Sequence, residues 1–335
     1  MKSRIFGRWS DGSEILEVEI AGGGLSARVI TWGAAVRDLR LTGHRAPLVL
    51  GLNSLEDYAR HSRHFGAMAG RCANRIGAGR CVIGGAEYRL ERNEDGRTHL
   101  HGGDAFGFSK RPWRLAGHDA RSVTLALTAE DGEAGYPGRV ETEVTYTIEP
   151  PATLLVAARA TTDKPTLVNL AHHSYFNLGG EDIRGHALEV AAGRITELDE
   201  LRVPTGRVLD VAGTPFDFRE PLTIGARGAS YDINFCLTDS VRDAPHFAAR
   251  AALPDGGLAL EVWTTEPGLQ IYDAARLNCP VPGLEGRRYG AFAGLCLEAQ
   301  RWPNAVNHPH FPSALLCPGE VYRQQTEYRF ISPRI

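Results

Sequence analysis

Apolar and polar residues alternate along the most regular stretch of the chain. Between Val140 and Ile148 every second residue except Thr142 is Val, Tyr or Ile, and the residues between them are Glu or Thr. A two-residue period is typical of a β-strand that buries one face. Pro150 and Pro151 interrupt the pattern, and residues 153–161 then resume as an apolar run. The sequence therefore predicts a β-hairpin over these two segments.

Many other short segments share this strand-like pattern, whereas helical periodicity is brief. The further predicted strands are residues 16–20, 25–31, 46–52, 81–90, 123–128, 258–264, 292–297 and 322–330. Convincing helical patterns are confined to brief pieces such as residues 54–61, and no strands alternate with long helices as in a parallel α/β sheet. We predict an all-β protein, with residues 1–335 forming one large antiparallel β-sandwich domain. No repeat of 20 to 50 residues supports a propeller.

Composition and charge narrow the function. Hydrophobic residues make up 43% and charged residues 23% of the 335 residues, and the formal net charge is −3. These values exclude disorder as the main property, and the missing basic excess argues against nucleic acid as a partner. No uncharged apolar run approaches the roughly 18 residues of a membrane span, and no signal peptide is recognised. A cytoplasmic enzyme or binding protein for small, polar ligands is expected.

The cysteines do not form a metal-binding or disulfide pattern. They are widely spaced, with no Cys-x-x-Cys pair, and stand at Cys72, Cys81, Cys236, Cys279, Cys296 and Cys317. Disulfide frameworks and zinc sites both need closer spacing. We expect reduced and mostly buried thiols, as in cytoplasmic proteins.

Glu298 gives the strongest chemical signal in the sequence. It follows an apolar segment that begins at Ala291. Removing a carboxylate from water is costly unless a partner or a function retains it. A glutamate at a strand end that points to solvent is the structural alternative.

Two histidine-containing segments are further candidates. His99 and His101 alternate before a Gly pair, and a two-residue period would place them on one face. They could bind a metal, although the glutamate of a cupin-type motif is missing. His172 and His173 are adjacent, so on a strand at most one of them faces a given pocket. The other is then a core histidine with a hydrogen bond to the backbone.

Two more segments carry polar residues among apolar or small ones. Residues 70–76 contain Arg71, Asn74 and Arg75, and residues 231–235 contain Asp232. A solvated loop and an Asx-type turn, respectively, are the structural alternatives.

In this order, the segments resemble the aldose 1-epimerases, also called galactose mutarotases. The similar motifs are Gly-Arg-x-Ala-Asn-Arg-Ile at 70–76, Leu-His-Gly-Gly at 100–103, His-Ser-Tyr-Phe-Asn-Leu at 173–178, Pro-Gly-Leu-Gln at 267–270, Leu-Glu-x-Gln at 297–300, and the stretch 309–322. The resemblance runs from about Gly70 to Tyr328. It implies a galactose mutarotase-like β-supersandwich and cofactor-free interconversion of the α and β anomers of free aldoses such as galactose and glucose.

The resemblance also implies roles for individual residues. Glu298 would be the general base that removes the proton of the C1 hydroxyl, His173 the general acid at the ring oxygen, and His101 an assistant there. The residues that would hold the sugar hydroxyls are Asn74, Arg75, Asp232 and Gln270. His173 is preferred to His172 as the acid because the Ser-Tyr-Phe-Asn-Leu motif follows it. No metal or cofactor is expected.

For both groups to be in their working forms, the pKa of the histidine acid must lie above that of the glutamate base. Ordinary values of about 4.3 for Glu and about 6.5 for His leave only about two pH units in which both groups are in their working forms. We therefore expect Asp232 or Glu298 to lie close enough to His173 to raise its pKa.

Several other functions remain open at this point. A hexose-phosphate 1-epimerase could use Arg71 and Arg75 for the phosphate, and a non-catalytic carbohydrate-binding sandwich would need no acid or base. A cupin-type metal enzyme would use His99, His101, His173 and Glu298 as ligands. A glycoside hydrolase could pair Asp232 with Glu298. The preferred aldose and the oligomeric state are not encoded in these motifs.

Overall fold

The computed structural model describes residues 2–332, and strands dominate it. Among these residues one α-helix, α1 (Leu55–His61), occurs where the helical pattern predicted it. The Ser54 Oγ atom accepts a hydrogen bond from the Asp57 backbone N–H at 3.1 Å. Acidic residues in the first turn and Arg60 and His61 in the last complement the helix dipole. Short 3-10 turns lie at Gly77–Gly79, Phe108–Lys110, Glu133–Gly135, Ile224–Arg227, Leu284–Gly286 and Ala305–Asn307.

The strands are short and numerous. In the first half of the chain they are β1 (Lys2–Arg8), β2 (Glu14–Gly22), β3 (Leu25–Ile30), β4 (Ala35–Leu41), β5 (Met68–Ala69), β6 (Arg75–Ile76), β7 (Arg80–Ile83), β8 (Ala86–Arg89), β9 (His99–Leu100), β10 (Arg114–His118), β11 (Ser122–Ala129), β12 (Val140–Glu149) and β13 (Thr153–Thr162). In the second half they are β14 (Thr166–Leu167), β15 (Ala171–His172), β16 (Tyr175–Phe176), β17 (Ala187–Val190), β18 (Arg194–Leu198), β19 (Pro204–Asp210), β20 (Leu222–Thr223), β21 (Asp232–Cys236), β22 (His246–Ala252), β23 (Ala259–Thr264), β24 (Gly268–Tyr272), β25 (Leu295–Gln300), β26 (Leu315–Leu316) and β27 (Tyr322–Ile331).

Three antiparallel sheets contain most of the strands. A four-stranded sheet has the order β1-β2-β3-β4, and a nine-stranded sheet has the order β10-β11-β12-β13-β27-β23-β22-β17-β20. A six-stranded sheet has the order β16-β25-β24-β21-β18-β19. The predicted hairpin is β12 paired with β13, in continuous register from Val140 opposite Thr162 to Glu149 opposite Thr153. The predicted all-β, antiparallel sandwich is thus confirmed.

One apolar cluster joins the three sheets. It contains buried side chains from Val18 in β2, through Val144 in β12 and Leu297 in β25, to Phe330 in β27. Burying apolar surface in one continuous cluster is the main favourable contribution to folding. Because the six-stranded sheet gives only one of its faces to this cluster, its other face is available for polar side chains.

Two of the predicted strands are wrong or misplaced. Residues 46–52 contain only isolated bridges, Val49 to Phe176 and Leu52 to Gly283, instead of a strand. Pro47 lies within that run and lacks the N–H that a strand ladder needs. The strand predicted at 292–297 begins at Leu295 and extends to Gln300, because Phe292 has φ of 62°, which is incompatible with extended backbone.

The structure agrees with the expectation of reduced cysteines that are mostly buried. The cysteines are all unpaired thiols, and Cys317 alone is only partly buried. Within residues 2–332, no helix has both the length and the apolar character needed to cross a membrane.

Candidate active site

Three neighbouring strands carry a row of polar side chains on the face that points away from the apolar cluster. Asn234 in β21 lies opposite Gln270 in β24, and Gln270 lies opposite Glu298 in β25. Residues directly opposite each other in a sheet share a face. The alternate residues of the same strands, such as Leu297 and Ile271, belong to the apolar cluster. A two-residue period therefore supplies both the core and the polar row.

A cavity of about 330 Å³ opens over this polar face. Its volume is at the lower end of the range for small-molecule sites, which suits a compact ligand. It is lined by all the residues to which the family resemblance gave a role in catalysis or binding, namely Asn74, Arg75, His101, His173, Asp232, Gln270 and Glu298. These residues come from six separate parts of the chain, and the fold brings them together.

Glu298 and His173 form the closest acid–base pair in the cavity. The Glu298 Oε1 atom lies 3.5 Å from His173 Nε2, and both side chains are almost completely buried. The second carboxyl oxygen, Oε2, has no hydrogen-bond partner among the described residues. The other ring nitrogen of His173, Nδ1, lies 3.6 Å from the Cys296 thiol. A buried carboxyl oxygen without a partner is costly, which is typical of a group retained for binding or chemistry.

Burial dominates the pKa values of this pair. Loss of solvent raises the pKa of Glu298 well above its ordinary value; the negative charge of Asp232 adds to this, and Arg75 opposes it. Burial lowers the pKa of His173 to about 4. The expectation that a neighbouring carboxylate raises the pKa of His173 is therefore wrong, although Glu298 lies as close as expected. The cost of burying charge exceeds the attraction of the two groups, so the folded protein favours the neutral pair.

His101 faces the same cavity as a hydrogen-bond donor. Its Nδ1 atom accepts a hydrogen bond from the Asn74 backbone N–H at 3.2 Å. A neutral imidazole that accepts at Nδ1 carries its proton on Nε2. Burial lowers the pKa of His101 well below its ordinary value, and His64 and His173 add to this. His101 thus remains neutral near pH 7 and offers an N–H to a ligand oxygen.

A hydrogen-bonded network fixes the remaining polar groups. The Asp232 carboxylate accepts a hydrogen bond from Gln270 Nε2 at 2.8 Å and one from Arg276 Nη2 at 2.8 Å. The Arg75 guanidinium donates from Nε and Nη2 to the two oxygens of Glu94, each at 2.7 Å. These contacts hold Asp232 and Arg75 in one geometry before any ligand binds, which reduces the entropy lost on binding.

Comparisons with known proteins agree with this geometry. The family model described as aldose 1-epimerase matches residues 17–329. The chain belongs to the aldose 1-epimerase family. A galactose mutarotase of Mus musculus is 39% identical over 332 residues, covering 96% of this chain and 95% of the relative. An aldose 1-epimerase of Escherichia coli K12 is 36% identical over 326 residues, covering 92% of this chain and 93% of the relative.

A solved structure supports the same assignment. The crystal structure of a GalM/aldose epimerase homologue from C. elegans superimposes with a TM-score of 0.88 at 30% identity, covering 95% of this chain and 99% of that chain. Family membership identifies the chain as an enzyme with mutarotase activity, as its motifs predicted.

Some candidate residues of this aldose 1-epimerase do not enter the cavity. His99 is held by the Glu91 carbonyl and by the Tyr136 hydroxyl, each at 2.6 Å. The expectation that His99 and His101 share one face is wrong, because β9 ends at Leu100 and His101 has φ of 49°. The strand period therefore does not extend to His101.

Two other candidates are likewise structural. Arg71 donates hydrogen bonds to the carbonyl oxygens of Pro137, Gly138 and Glu130. Its guanidinium is therefore occupied by the backbone. The His172 Nε2 atom lies at hydrogen-bond distance, 2.8 Å, from Ser174 Oγ. Its partner is therefore a side chain and not the backbone group that the sequence suggested. Strand β15 ends at His172, and His173, the next residue, lines the cavity whereas His172 does not. As expected, only one of the two adjacent histidines faces the cavity.

Several cavity residues of this epimerase were not found from the sequence. His64, Tyr272 and Arg276 also line the cavity. His64 lies in a polar segment with His61 and Arg63, which has the pattern of an exposed loop. Only the fold brings this segment next to His101 and His173, so the local pattern held no signal.

The His101, His173 and Glu298 cluster is also the group that could hold a metal ion. One ligand atom from each residue lies within 4.8 Å of the others. However, the hydrogen bond from Asn74 leaves the proton of His101 on Nε2, the nitrogen that faces away from Asn74. Nε2 is then a donor and has no lone pair for a metal. The Nε2–H group of His101 is therefore suited to a hydrogen bond with a sugar oxygen.

Proposed function

We propose that this enzyme interconverts the α and β anomers of free aldoses such as galactose and glucose, using Glu298 and His173 as a proton-transfer pair. The observation that carries the proposal is that a buried carboxyl and a buried imidazole lie 3.5 Å apart in a cavity lined with sugar-type hydrogen-bonding groups. Ring opening needs one proton removed from the C1 hydroxyl and one delivered to the ring oxygen. A pair that shares one proton meets both needs.

The steps conserve the proton count of the pair. Glu298 as carboxylate takes the proton of the C1 hydroxyl, and protonated His173 gives its proton to the ring oxygen as the C1–O5 bond breaks. The pair is then neutral, and the sugar is an open-chain aldehyde. After rotation about C1–C2, the reverse transfers close the ring on the other face of the carbonyl. The neutral pair that burial favours is thus the form that accompanies the open-chain sugar.

His101 and the network around Asp232 have supporting roles in this proposal. The Nε2–H of His101 donates to the ring oxygen and stabilises the charge that changes there. Asn74, Arg75, Asp232 and Gln270 hold the sugar hydroxyls. Since Asp232 and Arg75 are already fixed by Arg276 and Glu94, the sugar binds to a formed surface.

The hexose-phosphate alternative has less support. It relied on two arginines, but Arg71 is bonded to backbone carbonyls and Arg75 is paired with both oxygens of Glu94. We therefore propose free aldoses as the substrate class. The reduced thiols of the six cysteines suit the cytoplasm, which we propose as the compartment.

Polarimetry tests the proposed function. Freshly dissolved α-galactose and α-glucose are followed with chelator-treated wild type, Glu298→Gln and His173→Gln, after subtraction of the spontaneous rate. We expect a fast chelator-resistant reaction in the wild type and a loss of about 10² or more in kcat in each variant, because each lacks one proton-transfer group.

His172→Gln is the matched control for His173→Gln. The two histidines are adjacent and both buried, but only His173 lines the cavity. The control should keep wild-type kcat. Full activity in Glu298→Gln, or equal losses in the two histidine variants, would contradict the assignment of the proton-transfer pair.

A further inference from the structure

A third imidazole lies beside the two proposed for catalysis. His64 is half-buried and lines the cavity. The centroid of its ring lies 4.6 Å from that of His101 and 5.4 Å from that of His173, with the His173 ring stacked at an interplanar angle of 28°. The proposed mechanism gives this histidine no role.

Hydrogen bonding fixes the orientation of the His64 ring. Its Nδ1 atom lies 2.8 Å from the Ser109 Oγ atom. Within residues 2–332, Nε2 has no hydrogen-bond partner. One nitrogen is thus anchored to the protein, and the other remains for a ligand in the cavity.

We infer that His64 binds the exocyclic C6 hydroxyl of a hexopyranose and so makes the enzyme selective for hexoses that carry this group. The inference rests on the proposed function, in which His101 and His173 act at the ring oxygen. That oxygen has two carbon neighbours, C1 and C5. Glu298 serves the hydroxyl on C1, so the other side of the ring oxygen presents C5 and its hydroxymethyl group. His64 adjoins both imidazoles at the ring oxygen and is placed to meet this group.

The protonation state of His64 suits a hydroxyl group. Burial lowers the pKa of His64 well below its ordinary value, and the imidazole of His173 contributes to this. A neutral imidazole can donate or accept a hydrogen bond, as a hydroxyl can. A neutral hydrogen bond contributes about 1 kcal/mol, which corresponds to a change in affinity of roughly five- to tenfold.

Two sugars that lack this hydroxyl provide the test. D-fucose is galactose with a methyl group in place of the hydroxymethyl group on C5, and L-arabinose has only hydrogen in place of that group. For the wild type, kcat/KM should be about tenfold higher for galactose than for either analogue, with the difference mainly in KM. His64→Phe keeps the stacked ring but removes Nε2. It should raise KM about tenfold for galactose, leave D-fucose almost unchanged, and so abolish the selectivity.

Two further variants separate binding from a structural effect. His61→Phe is the matched control, because His61 lies on the same segment but does not line the cavity, and it should retain wild-type selectivity. Ser109→Ala frees the ring without removing it and should lower the selectivity partly. Should His64→Phe fail to fold, the Ser109→Ala result decides, since unchanged selectivity there overturns the inference.

The failure of this inference differs from a failure of the proposed function. An active wild type that treats galactose and D-fucose alike overturns the role of His64 alone. The same holds if His64→Phe slows both sugars equally, because the effect is then structural. A wild type that does not accelerate galactose mutarotation overturns both proposals.

Discussion

At the scale of single residues, the proposed chemistry depends on one proton shared by Glu298 and His173. Burial moves their pKa values in opposite directions, the carboxyl upwards and the imidazole down to about 4. Ordinary values would place the imidazole titration near pH 6.5. In the folded protein the pKa of His173 moves this titration to more acidic solutions, so the imidazole gains no proton near pH 6.5.

The pH profile of kcat/KM tests this description. We expect no acid limb near pH 6.5 in this profile, because protonating His173 to give a doubly protonated pair requires a pH near 4. Polarimetric initial rates, with circular dichroism to verify folding at each pH, provide the measurement. An acid limb with its midpoint near 6.5 would show that His173 titrates as an ordinary histidine.

The sequence identified the groups at this scale but not their electrostatics. Glu298, His173 and His101 stood out because polar residues interrupt apolar segments. The pKa of His173 depends on how completely the fold removes water from it, and adjacent residues do not determine that. His64 was missed for a similar reason, since its neighbours in space are distant in the chain.

At the scale of elements, the turn after β9 places His101. The strand ends at Leu100, His101 has φ of 49°, and Gly102 has φ of 83°. A Cβ atom on Gly102 would lie only 1.8 Å from the carbonyl oxygen of Gly70. The turn can therefore pack against residue 70 only if position 102 has no side chain.

Replacing this glycine should affect both stability and catalysis. We expect Gly102→Ala to lower the free energy of unfolding by about 3 kcal/mol or more and to reduce kcat in the folded fraction, because the backbone contact must open and move His101. Gly84→Ala is the control: Gly84 also has positive φ, 58°, but no atom lies within 4 Å of its added Cβ. Gly84→Ala should lower the free energy of unfolding by only about 1 kcal/mol and leave kcat unchanged. Urea unfolding and polarimetry measure both; equal effects would contradict the steric explanation.

The strand predictions succeeded where a regular period was long and failed where the chain turns. The β12–β13 hairpin follows directly from alternation and a Pro-Pro break. Residues 46–52 are mostly apolar and belong to two apolar clusters, but they contain Pro47 and form only isolated bridges instead of a strand. An apolar run predicts that a segment is buried. Hydrogen bonding between strands depends in addition on which segments the fold places side by side.

At the scale of the whole molecule, buried histidines link stability to pH. Burial lowers the pKa of His99, His173 and His186 to about 4 and that of His172 to about 3. These groups bind protons more readily in the unfolded chain, so their contribution is complete above about pH 6.5 and is lost as the pH falls towards 4. Glu266, whose pKa burial raises to about 7, and Glu298, whose pKa burial raises well above its ordinary value, act in the opposite direction.

We therefore expect the protein to lose stability as the pH falls from 7 to 5. Each such histidine contributes roughly 3 kcal/mol over its full range, and the four histidines outnumber Glu266 and Glu298. Urea unfolding at several pH values measures the slope. The slope of the unfolding free energy against pH gives the difference in bound protons between the unfolded and the folded protein. His172→Gln should reduce this difference by about one proton, while His246→Gln, at an exposed position, should leave it unchanged. A stability that is level or rises towards pH 5 would contradict burial of neutral imidazoles.

The overall architecture was largely readable from the sequence, since the all-β class follows from the many short alternating segments. We propose that residues 1–335 form one domain, because one apolar cluster contains side chains from near both ends of the described chain, from Val18 to Phe330. The sheet order was not readable. β27, the final strand, lies between β13 and β23, and such distant pairings leave no local pattern.

The alternation of core and cavity residues along β24 and β25 limits how this enzyme can diverge. Substituting Gln270 or its neighbours on the polar face can retune sugar preference while Ile271 and Leu297 continue to hold the sheets together. Inserting or deleting one residue in either strand has a different result, because it exchanges the two faces beyond that point and sends carboxyl and amide groups into the core. New specificities in a laboratory lineage should therefore arise by point substitution within these strands, and length variation should be confined to the loops that connect them.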